Sequence, residues 1–213
     1  MPTLIPSEIL NLAKSCAIHW GKVNATLGTM PLTLRQGYNL AGFSTDITAL
    51  EQRLAQMPAI ENAYGIALAE RDAGKAPLKA RLKQFRAAVQ NKLGDSAFAT
   101  ELPTQPFATG SEATFLKAFD DMADLWARIN SATLAGFTPP LTLGKGYTLA
   151  NFRADLTAQR AAYDKTRQTI ADTTLARKAR DTQTKAVWER IKQYRNGCIE
   201  VLDDTDELLA TAP

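Results

Sequence analysis

Residues 31–47 read PLTLRQGYNLAGFSTDI and residues 140–156 read PLTLGKGYTLANFRADL, with ten of the seventeen positions identical. Unrelated segments of that length would share roughly one, so the sequence carries an internal duplication. The same 109-residue offset matches Arg71-Asp72 to Arg180-Asp181, Arg81 to Arg190, Lys83-Gln84 to Lys192-Gln193, Arg86 to Arg195 and Asp95 to Asp204. Upstream the offset shortens to 106, pairing Trp20 with Trp126 and Asn24 with Asn130, so the intervening loop gains three residues in the second copy. A segment written twice is expected to fold twice. The predicted division is a first unit over 1–105 and a second over 106–213.

Apolar spacing sets the class. Ile9, Ala13, Cys16, Trp20, Val23 and Leu27 recur every three or four residues, matched by Phe115, Phe119, Met122, Trp126, Ile129 and Thr133. That is one face of an amphipathic helix in each copy, with Ser7 and Ser111 as expected caps. A second helix is predicted from Asn39 and from Thr148, whose side-chain oxygens suit the exposed amides of a first turn. Its seam runs Phe43, Ile47, Leu50, Leu54, Met57, Tyr64 and Leu68 in copy one, and Phe152, Leu156, Tyr163 and Ile170 in copy two. Pro58 is expected to kink or split the first of these. A third helix is predicted on Leu78, Leu82, Phe85, Val89 and Leu93, matched by Val187, Ile191, Tyr194, Cys198 and Leu202. No segment reads as strand, and PTQPFATG, residues 103–110, reads as the connection between copies.

The expectation is therefore an all-α protein of six helices, two homologous three-helix units in tandem or as a pseudo-twofold bundle. Gly74 and Pro77 mark a turn between the second and third helices of copy one, and the ungapped register predicts the same turn in copy two. Copy two lacks glycine and proline there, so a continuous helix, and with it an exchanged assembly, is the alternative. A tryptophan-bearing first helix in three-helix units of this size resembles the spectrin-repeat plan, as geometry alone; no residue roles follow from it.

Formal net charge is +3, too little for a chain that is basic throughout. Residues 71–92 nonetheless hold seven basic side chains against one acid, Asp72. Lys75, Lys79, Arg81, Lys83, Arg86 and Lys92 are the candidate polyanion-binding set, since phosphate contacts require only positive charge and reach. No aromatic residues interleave for base stacking, Phe85 being a seam residue.

The remaining constellations read as structural. His19 is the sole histidine and reads as an ordinary helix residue, and Cys16 and Cys198 read as small buried hydrophobes. No metal-ligand spacing, nucleophile elbow or phosphate loop is present. Asp120, Asp121 and Asp124 read as a solvated face. Trp20 and Trp126 are expected to anchor each core, with Asn24 and Asn130 tying down loop carbonyls. Tyr38 and Tyr147, with Phe43 and Phe152, are expected to staple that loop to the bundle. Arg71, Asp72, Arg180 and Asp181 are expected to brace the junction of the second and third helices.

The expected function is a non-catalytic helical interaction or scaffolding module without a cofactor, partnered by protein, self or other. The alternative is a nucleic-acid or other polyanion binder using the basic third helix. The opening MPTLIPSEILNLAKS lacks a basic stretch followed by an apolar one, and no apolar run approaches eighteen residues. A cytoplasmic location and no membrane partner are expected.

Overall fold

The computed structural model describes residues 5–107, 109–203 and 205–213. The predicted match at Asp204 and the first four residues of the N-terminal reading lie outside them. Among the described residues the protein is all-α, with no strand. The helices are α1 (Pro6–Leu27), α2 (Leu40–Ala73), α3 (Lys75–Leu93), α4 (Ala97–Thr100), α5 (Glu112–Ser131), α6 (Leu149–Val201) and α7 (Glu207–Ala210). None is long and apolar enough to cross a membrane.

Local chemistry accounts for most helix ends. Proline occupies the first position of α1, where its missing N–H costs nothing, so Ser7 lies inside the helix instead of capping it. Ser111 does cap α5, accepting from the Thr114 amide at 3.2 Å. Asn39 accepts from the Gly42 amide at 3.0 Å ahead of α2, and Thr148 from the Asn151 amide at 3.3 Å ahead of α6. Pro58 lies within α2, which is not split there.

The junction of the second and third helices differs from expectation. In copy two no turn forms: α6 is one helix of 53 residues. Nothing between Thr173 and Val187 is glycine or proline, so no residue there opposes helix propagation. In copy one Gly74 keeps right-handed helical dihedrals, φ −71° and ψ −17°, and its amide donates to the Glu70 carbonyl at 3.2 Å. The chain does not reverse there either. Pro77 forfeits a single backbone bond, which interrupts the helix without turning it back.

The compact units are consequently assembled from interleaved stretches. One comprises residues 1–62 with 170–213; the other comprises residues 63–169. The predicted boundary at 105/106 falls inside the second.

The core of the first unit joins Ala13, Cys16, Trp20 and Val23 of α1, Phe43, Ile47 and Leu50 of α2, and Val187, Ile191, Tyr194 and Cys198 of α6. Trp20 meets the Phe43 ring at 5.7 Å and stacks on Tyr194 at 4.9 Å. Lys14 pairs with Glu51 at 2.5 Å while Trp20 meets Phe43, so α1 and α2 run antiparallel. The core of the second unit joins Phe115, Phe119, Met122 and Trp126 of α5, Phe152 and Leu156 of α6, and Leu78, Leu82, Phe85 and Val89 of α3. Here Phe85 meets Trp126 at 5.3 Å. Asp120 and Glu112 of α5 reach Arg160 and Arg167 of α6, again antiparallel. Burial of each large apolar side chain is worth about 1.5–3 kcal/mol, so these ring clusters dominate the stabilisation.

Candidate functional site

Each unit clamps a long loop by the same set of bonds. Trp20 Nε1 donates to the Leu32 carbonyl at 3.2 Å, and the Leu32 amide donates to Asn24 Oδ1 at 2.9 Å. Trp126 Nε1 donates to the Leu141 carbonyl at 2.9 Å, and the Leu141 amide donates to Asn130 Oδ1 at 2.8 Å. The asparagines therefore serve the loop amides, and the indoles, not the asparagines as expected, take the carbonyls. The correction follows from reach: an indole N–H can only donate, which leaves the amide for the asparagine oxygen.

After the clamp the chain makes a tight turn, closed by Leu34 N to Tyr38 O at 2.7 Å and by Leu143 N to Tyr147 O at 2.8 Å. Within it Gln36 and Lys145 adopt φ of 65° and 63°, followed by Gly37 and Gly146 at 71° and 72°. Two successive left-handed residues are costly for side-chain-bearing amino acids, which explains glycine at the second place in both turns.

The turn delivers a tyrosine onto two helices. Tyr38 donates to Asp46 Oδ2 at 2.5 Å, and the Arg190 guanidinium lies 3.9 Å over its ring. Tyr147 donates to Asp155 Oδ2 at 2.5 Å, with Arg81 likewise 3.9 Å over the ring. Gln183 Nε2 adds a bond to Asp46 Oδ1 at 3.2 Å in the first unit. Burial, then the adjoining carboxylate, push both phenols well above the ordinary tyrosine value. Phe43 and Phe152 are fully buried in the cores. Asp46 and Asp155 did not figure among the predicted anchors. Both lie within the repeated seventeen residues, eight positions after the tyrosine, so their signal was present in the sequence.

His19 is a buried residue of its helix. It is 6% exposed, and its Nε2 lies 2.7 Å from the Leu208 carbonyl while Nδ1 bonds the Tyr194 hydroxyl. A carbonyl only accepts, so Nε2 carries the proton; in the neutral ring Nδ1 accepts from the tyrosine. The histidine thus fixes the segment around α7 onto α1. Cys16 and Cys198 are fully buried, and burial pushes the Cys16 thiol up to about 11.

The charged candidates divide. Lys75 pairs with Asp72 at 2.8 Å and lies 5.9 Å over the Phe115 and Tyr163 rings. Arg81 is committed to Tyr147. Lys79, Lys83, Arg86 and Lys92 have no acidic partner among the described residues. Arg71 bonds Asp72 at 2.8 Å and Arg180 bonds Asp181 at 2.8 Å, each a contact between chain neighbours, while the Asp72–Lys75 pair spans from α2 to α3. Lys75, then Arg71, hold the Asp72 carboxyl below its usual range. Asp120 and Asp121 are neutralised by Arg160 and Lys117.

A cavity of about 290 Å³ in the second unit is lined by Glu70, Gly74, Leu78, Asp155 and Gln159, among others. Its acids already bond Lys165 and Tyr147. Among the described residues no group of three His, Cys, Asp or Glu is arranged to hold a metal ion, and every buried side-chain N or O atom has a partner. No family model, curated protein or solved structure matches the chain.

Proposed function

We propose that this protein is a non-catalytic helical interaction module, built by duplicating a segment of about 105 residues. In this reading the third helix of each copy packs against the first two helices of the other. The carrying observation is that the repeated Trp, Asn, Tyr and Asp side chains around each loop, with Arg81 and Arg190, are engaged with the loop backbone or with one another. Trp–Leu–Asn and Tyr–Asp–Arg sets hold each loop to its bundle. Proton-transfer catalysis favours groups titrating near neutral pH; the repeated tyrosines are shifted in the opposite direction. A nucleophilic thiol needs a lowered pKa, and Cys16 is raised.

Ile18, Leu175 and Ile199 of the first unit, each about two-thirds exposed, offer apolar contacts to a protein partner. The test is affinity capture on the full chain with quantitative mass spectrometry, followed by reconstitution with the purified candidate. A partner that binds at fixed stoichiometry and is lost on Leu175→Asp or Ile199→Asp is the expected result. A reaction catalysed by the purified chain, abolished by Tyr38→Phe while the fold survives, would overturn the reading.

A further inference from the structure

We infer that α3 carries a docking stripe for the phosphodiester backbone of a nucleic-acid duplex, a site independent of the protein-binding reading above. Residues 73–94 contain six basic side chains and no Asp or Glu. The structure sorts those six. Lys75 and Arg81 are spent on Asp72 and on the Tyr147 ring. Lys79, Lys83 and Arg86 follow one another at the i, i+4, i+7 spacing that aligns side chains along one flank of a helix. None of the three has an acidic partner among the described residues. Leu78, Leu82, Phe85 and Val89 are buried beside them, so the apolar seam fixes which way the flank faces.

The comparison within the chain is informative. On the matching stretch of α6, Lys192 pairs with Glu189 at 2.7 Å, and Arg195 donates to the Pro213 carbonyl at 2.6 Å. Trp188 stands where α3 has Lys79. The first unit therefore neutralises or omits on this face what the second leaves available.

Lys79 and Arg86 are separated by about 10 Å along the helix axis. A duplex presents one negative charge per roughly 1.7 Å of its axis, so several phosphates fall along that length whatever the base sequence. Single-strand binding is disfavoured because the stripe offers no stacking ring: Phe85 is fully buried. Lys79 and Arg86 are both half-buried, in keeping with long apolar stems covering a helix flank while the charged ends stay in water.

The experiment is fluorescence anisotropy of the full chain with a labelled duplex DNA and a labelled duplex RNA of mixed sequence, between 50 and 200 mM salt. Three phosphate contacts predict a loss of affinity of about 40-fold over that range. The variant Lys79→Glu/Lys83→Glu/Arg86→Glu should abolish binding. Lys22→Glu/Lys178→Glu/Lys185→Glu, with the same change in net charge placed on the first unit, should weaken it far less. Should the stripe variant fail to fold by circular dichroism, Lys83→Gln at an exposed position should still lower the salt slope by about one. Binding of one duplex but not the other assigns the natural form of the ligand. The inference is overturned by no binding at 50 mM salt, by equal loss in both triple variants, by an unchanged slope in Lys83→Gln, or by retention of polyglutamate or phosphatidylserine vesicles in preference to either duplex.

Discussion

The imidazole of His19 and the phenol of Tyr194 are joined inside the first unit across 175 residues of chain, where the second unit places Leu125 and Phe85, both buried and apolar. The two substitutions come as a pair, one on a first helix and one on a third. A polar pair is tolerable in a core only when both members are present, since a lone buried donor or acceptor costs about 1–3 kcal/mol.

His19→Leu and Tyr194→Phe should each destabilise the protein by about 1–3 kcal/mol. The double variant should cost clearly less than the sum of the two. Urea unfolding of the four proteins closes the cycle; strict additivity would show that the bond carries no coupling.

Gly74 and Gln159 form a second matched set. A Cβ at residue 74 would lie 2.0 Å from Gln159 Oε1, and Gln159 Nε2 donates to the Arg71 carbonyl at 2.9 Å. Replacing a helical glycine by alanine ordinarily gains about 0.5–1 kcal/mol. Gly74→Ala should instead lower the melting temperature, because Gln159 must leave its bond to make room. In a Gln159→Leu background, leucine being the residue 109 positions earlier at Leu50, the alanine should become stabilising.

Asn130→Ala removes the acceptor of the Leu141 amide and should cost about 1–3 kcal/mol. Hydrogen exchange at Leu141 should accelerate more than at residues of the α6 interior. Equal protection in the variant and the parent would show that the loop is held by the Trp126 bond alone.

Alkali should unfold the protein, and the sign follows from the directions of the shifts. Cys16 is raised to about 11, and Tyr38, Tyr147 and Tyr194 are raised further, chiefly by burial. Each neutral form is favoured in the folded state, so the stabilisation is complete below the unfolded values, about 9 for the thiol and about 10 for the phenols. It is lost as pH rises through the folded values. Denaturant midpoints should be flat from pH 7 to about 8.5 and fall steadily above pH 9. Tyr38→Phe/Tyr147→Phe should start lower and fall less steeply.

The sequence made the helices, the seams, the loop clamp tryptophans and the stapling tyrosines legible, because each rests on local periodicity or a repeated motif. The partner of each third helix was not. That choice depends on whether Gly74 and residues 173–187 turn the chain, and one glycine with one proline do not suffice to reverse a helix flanked by long apolar seams. The surroundings of His19 were hidden for a related reason: its partners Tyr194 and Leu208 lie 175 and 189 residues away in sequence. Asp46 and Asp155 were within reach of the sequence, as identical residues at equal distance from matched tyrosines.

Helix α6 runs without interruption from the second unit's core residues into the first's, and this orders events during synthesis. Residues 63–169 can close their core once Thr169 has left the ribosome, whereas residues 5–62 must wait for Val187 to Leu202, which are made later still. Residues 5–62, although translated before residues 63–169, are therefore the later to reach their native packing, and their exposed apolar face is the one a chaperone would meet.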